Sequence, residues 1–159
     1  MVLDQVNGLP VHVLVLHAAV IFVPLLGLGA IVYGLVASWR PKIGWAVALL
    51  AVTAPIAALI TKLSGTEFYD RLLSEERVSP NGKIILDGHM ENGTITFWLT
   101  LALGVISLIL VVLTTRNPRA LPRYADLGIA LVLVVLAAFS GYYLYETGDS
   151  GATAVWGTY

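Results

Sequence analysis

The chain contains no cysteine. That removes thiolate metal sites, iron–sulfur ligation, disulfides and thiol nucleophiles together. Charge is the next thing it has little of: 12% of its residues are Asp, Glu, Lys or Arg, against roughly 25% in ordinary soluble domains. A net charge of −1 leaves no electrostatic footprint for a nucleic acid. Four long stretches carry no formal charge at all. They lie between Asp4 and Arg40, Lys42 and Lys62, Glu91 and Arg116, and Asp126 and Glu146. Crossing the hydrocarbon core of a bilayer takes about 20 apolar residues, and each stretch is long enough. A soluble domain of 159 residues would not need four such runs. The N-terminal run has no basic segment before it and is too long for a cleaved signal peptide.

What is present therefore reads as a single-domain, all-α, polytopic membrane protein with a four-helix transmembrane bundle. The spacing predicts helices over about 11–38, 43–63, 88–115 and 124–146, with a polar outer loop over 64–87. Pro10 suits a helix start, while Pro24 and Pro55 fall inside the first and second helices. Gly27, Gly29 and Gly34 offer small faces where a neighbouring helix can come close. Within the polar loop, Phe68-Tyr69 and Leu72-Leu73 suggest a short interfacial helix, Ser79-Pro80-Asn81-Gly82 reads as a turn, and Asp87 can cap the third helix. The two short connections hold Arg40, Lys42, Arg116, Arg119 and Arg123, with Asp126 the one acid near them, whereas the other nine acids gather at the other end. Basic residues in short loops stay cytoplasmic, so both termini and the long loop are expected outside. Trp39 and Trp45 then fall in an inner aromatic belt, and Tyr142, Tyr143, Tyr145 and Trp156 in an outer one.

This topology brings all three histidines to one end. His12, His17 and His89 share it with Glu67, Asp87, Glu91, Glu146 and Asp149. His12 and His17 are five residues apart, about 140° around an α-helix, so one regular helix does not aim both at one ion. His17 lies deeper, where an imidazole facing lipid is costly, and is expected to point into the bundle. His17 and His89 are accordingly the first candidates for ligands, with His12 in reserve. Two imidazoles from different helices can hold the iron of a haem b, which needs no cysteine attachment. Imidazole with the carboxylates of Glu67, Glu91 and Asp149 can instead hold zinc or copper. No nucleophile elbow, phosphate loop or dinucleotide fingerprint is present, so nothing indicates a stand-alone enzyme.

Several segments together resemble a known family. Gly8-Leu9-Pro10, His12, His17, Pro24-Leu25, Ser64-Gly65-Thr66-Glu67 and His89-Met90-Glu91-Asn92-Gly93 are similar to the DUF2231 family of predicted four-helix bacterial membrane proteins. Thr147-Gly148-Asp149-Ser150-Gly151-Ala152, with Val155-Trp156, resembles its C-terminal signature. The resemblance implies a bacterial inner-membrane location. Fusion of some relatives to Rieske-type domains implies a respiratory or redox setting. Position 149 departs from the pattern, being Asp where relatives often carry His. The leading expectation is thus a haem b- or metal-binding membrane protein serving electron transfer or acting as a redox accessory subunit. The alternatives are a cofactor-free subunit of a larger membrane complex or a homo-oligomer, and a His/Glu protein handling protons or metal.

Overall fold

The computed structural model describes residues 5–6 and 9–157; Asp4 and Gly8 lie outside the described residues. Two short strands, β1 (Gln5–Val6) and β2 (Leu9–Pro10), pair antiparallel. Four long helices follow: α1 (Val11–Leu35), α2 (Arg40–Ser74), α3 (Pro80–Thr114) and α4 (Arg123–Trp156). All four are long and apolar enough to cross a membrane. Each packs on its two neighbours in the cyclic order α1, α2, α3, α4, with far less contact between α1 and α3 across the diagonal. α1 and α3 begin, and α2 and α4 end, at one end of the bundle, here called the His end. The core runs down the middle through Val23, Leu26, Ala30, Val47, Ala54, Leu103, Leu110 and Leu133. Leu28, Trp45, Val112, Leu131 and Phe139 stand exposed on the outside, as a surface solvated by lipid tails requires.

The small residues of α1 act as their spacing suggests. Gly27 faces Ala137 and Gly34 faces Ala130 on α4, while Gly29 faces Val47 on α2. A tighter approach occurs between α2 and α3. Pro55 has no N–H, so the carbonyl of Ala51 four residues earlier loses its helical donor. Gly104 backs onto that oxygen, and a β-carbon there would lie only 2.6 Å from it.

The helix ends differ from expectation. The predicted outer loop over 64–87 is helical except for residues 75–79. Residues 64–74 contain no proline, and Ser64 bonds back to the carbonyls of Ile60 and Thr61, so α2 simply continues. It stops with Glu76 in the left-handed region at φ 53°. The N–H groups of Glu76 and Arg77 there bond to the carbonyls of Leu73 and Leu72, the reciprocal pair that closes many helices. Ser79-Pro80 is a helix start and not a turn: Ser79 Oγ accepts from the Gly82 N–H at 3.0 Å, with Pro80 at the first helical position. Asp87, expected as a cap, sits two turns inside α3, where it pairs with Lys83 at 2.7 Å and accepts from the Tyr69 hydroxyl of α2. α2 and α3 therefore project past the His end as a helical hairpin. The glycine-bearing C-terminal stretch is also helical, because the Thr147 and Ser150 hydroxyls bond back within α4 and Gly151 faces a neighbour.

At the opposite end Arg40 is 2% exposed instead of lying in a basic loop. Its guanidinium donates to the carbonyls of Tyr33, Gly34 and Pro118 and meets Asp126 at 2.6 Å. Tyr33 in turn hydrogen-bonds Thr114 of α3 at 2.8 Å. One side chain thus fastens α1, the α3–α4 connection and α4 together.

Candidate functional site

At the His end the side chain of His12, near the start of α1, turns toward α2. Its Nδ1–H donates to the Thr61 carbonyl at 3.0 Å. The ring lies so close over Gly65 that a β-carbon there would fall 3.0 Å from Nδ1. His89 repeats this arrangement on the other half of the bundle. Its Nδ1–H donates to the Thr147 carbonyl of α4 at 2.8 Å, and a β-carbon on Gly151 would fall 2.9 Å from its Cε1. Each carbonyl also accepts the hydroxyl one turn on, Ser64 in α2 and Ser150 in α4, at 3.1 Å in both cases. The two docking segments read Thr61-x-x-Ser64-Gly65 and Thr147-x-x-Ser150-Gly151.

The repetition extends through the bundle. Ala19, Val23, Leu26, Gly27, Ala30, Tyr33 and Gly34 are buried on α1, and so is every residue 77 positions later on α3, from Thr96 to Val111. The contact of Gly27 with Ala137 has as its counterpart that of Gly104 with Ala51. The chain is therefore two helical hairpins, α1–α2 and α3–α4, related by an approximate twofold along the bundle axis.

The two docked imidazoles meet near that axis, with ring centres 6.1 Å apart and planes at 88°. Phe68 of α2 stacks on His12 at 6.4 Å and carries the Arg71 guanidinium on its ring. A cavity of about 60 Å³ opens beside the pair, lined by both histidines with Met90, Thr61, Thr96 and Thr147 among others. Because a carbonyl can only accept, both Nδ1 atoms carry protons, and each ring in its neutral form has its lone pair on Nε2. This is the arrangement that metal-binding imidazoles adopt, one nitrogen held by a backbone carbonyl and the other left for the ion. Ligation at about 2.0–2.1 Å puts a ring centre roughly 3.2 Å from an ion, so two rings on one ion can be up to about 6.4 Å apart. The observed separation lies within that reach. The cavity is large enough for an ion with a water or two. Cofactor pockets run to about 300–1,000 Å³, so a haem here requires the helices to part.

The remaining candidates stand apart. His17 is exposed on the outer face of α1, and its Nδ1–H bonds within its own helix to the Val13 carbonyl at 3.2 Å. The expected inward aim is corrected by helix geometry: with His12 turned inward, a residue about 140° away must face out. Glu91 and Asp149 are exposed, and half-buried Glu67 does not line the cavity. Among the described residues no group of three or more His, Asp or Glu side chains comes together to hold a metal ion. Asp149 is exposed and does not line the cavity, so the departure at that position leaves the imidazole pair untouched. Thr61, Gly65, Thr147, Gly151 and Met90 carry no metal-ligand spacing that marks them as site residues in the sequence. The doubled Thr-x-x-Ser-Gly was the available signal, since repeats expose equivalent positions.

The family described as "Predicted membrane protein (DUF2231)" matches residues 8–158, nearly the whole chain, and the chain belongs to it. No curated protein and no solved structure matches.

Proposed function

We propose that this DUF2231 protein holds one transition-metal ion between His12 and His89 and serves electron transfer, either itself or as a subunit of a larger redox complex in the bacterial inner membrane. One observation carries the reading: two imidazoles from the two halves of the bundle are both fixed through Nδ1, and their ring centres lie 6.1 Å apart, within the span of two rings that share one ion. Ligands held this firmly move little when the ion changes charge, which favours electron exchange over chemistry on a substrate. Gly65 and Gly151 give the rings their seats, and Phe68 covers one side. We orient the His end away from the cytoplasm, because Lys42, Arg116, Arg119 and Arg123 lie at the opposite end. The same imidazoles as axial ligands of haem b form the second reading, favoured by their two-sided approach from α1 and α3.

The test is metal analysis with oxidised and reduced visible spectra of the detergent-purified protein, repeated on His12→Ala, His89→Ala and His17→Ala. The proposal expects near-stoichiometric metal in the parent and in His17→Ala, and its loss in the other two. A Soret band that behaves the same way selects haem. Metal-free parent protein, or metal lost only with His17, overturns the reading.

A further inference from the structure

We infer that the ion is a soft monovalent one of the copper(I) class, with the Met90 thioether as its third ligand; this rests on the two-imidazole reading above. The donors around the cavity decide the point. They are two imidazoles, one thioether, threonine hydroxyls and the Lys62 side chain; among the described residues no carboxylate lines it, and the chain has no thiolate. The hydroxyls of Thr61, Thr96 and Thr147 already donate to the carbonyls of Ala57, Asn92 and Tyr143, which places them as neutral walls. Among the described lining residues no anion would balance a desolvated dication here, and Lys62 adds a like charge. The cost of burying an ion rises with the square of its charge, so the monovalent state is favoured strongly and the copper(II) state reached in electron transfer would be strongly oxidising. Magnesium, calcium and manganese take oxygen donors in number, and zinc takes four ligands in a tetrahedron. Imidazole with thioether suits copper(I). Met90 also breaks the internal twofold: the residue 77 positions earlier is Val13, which is exposed, whereas Met90 is half-buried beside the site. Among the described residues only the second half supplies a sulfur, and it supplies it next to its own imidazole.

The experiment is anaerobic titration of the full-length purified protein with copper(I) against a coloured cuprous chelator, in parallel with zinc(II) against a zinc indicator. The expected result is one copper(I) per chain, held far more tightly than zinc(II). Met90→Leu keeps the volume and apolar character of the side chain, and circular dichroism reports its folding. It should weaken copper(I) by at least the roughly 10–100-fold that follows the loss of even an outer-shell partner, and leave zinc(II) unchanged. X-ray absorption at the copper edge should show a sulfur neighbour that Met90→Leu removes. Tight zinc(II) or haem without copper(I) would overturn this inference and leave the two-imidazole site standing; binding of none of them would overturn both. Copper(I) held equally by folded Met90→Leu would refute the thioether ligand.

Discussion

Gly104→Ala should be among the most damaging single-methyl additions the bundle can receive. The new β-carbon would lie 2.6 Å from the Ala51 oxygen and 2.9 Å from Pro55 Cγ. Carbon and carbonyl oxygen sit comfortably at about 3.3–3.6 Å, so α2 and α3 must separate locally by roughly 0.7–1 Å. A gap of that size forfeits about a quarter to a half of each dispersion contact along the seam. Neither obstacle can swing aside, since one is backbone and the other a proline ring inside a helix. Overpacking costs about 1–3 kcal/mol, and the upper part of that range applies here. Alanine recovers about 1 kcal/mol over glycine through helix propensity. The net loss is about 2 kcal/mol, which for a chain of this size lowers Tm by about 4–8 °C. Gly128→Ala and Gly141→Ala are the matched controls, because nothing lies within 4 Å of a β-carbon at either position. Thermal unfolding of all three in one detergent, followed by circular dichroism, should show only Gly104→Ala falling. If it melts with Gly128→Ala, the close approach at Ala51 does not set the α2–α3 spacing.

Two further outcomes follow. Gly151→Ala pushes the His89 ring off the Thr147 carbonyl, and it should cut metal affinity by about 10–100-fold in competition titrations while Gly148→Ala does not. Arg40→Met strands Asp126 and three backbone carbonyls, so it should cost about 3–5 kcal/mol in denaturation experiments. Exposed Arg116→Ala should stay within about 0.5 kcal/mol.

The four spans were legible because lipid permits no charge over their length, and that leaves long blank intervals in the sequence. Their ends were not. Beyond the hydrocarbon, a helix with water around it carries the same Glu, Asp, Lys and Ser as a loop, so residues 64–74 and 80–87 looked like one. Ser79-Pro80 is ambiguous in the same way, fitting both a turn and a helix start until the Gly82 bond decides it. The 140° between His12 and His17 was readable, but which of them turns inward depends on Gly65 of another helix. Depth alone favoured His17; docking against a small residue favoured His12. Arg40 looked like a loop charge because its partner lies 86 residues away.

That interval of 86 residues also separates Thr61 from Thr147, so Arg40 and Asp126 occupy equivalent places in the two hairpins. Two identical hairpins coming together as separate chains would set arginine against arginine, or aspartate against aspartate, at this point. Joining the copies in one polypeptide lets one carry the cation and the other the anion. The molecule thus keeps its symmetry where two like imidazoles are wanted and breaks it where opposite charges must meet. Covalent linkage is what makes both ends possible in a single bundle.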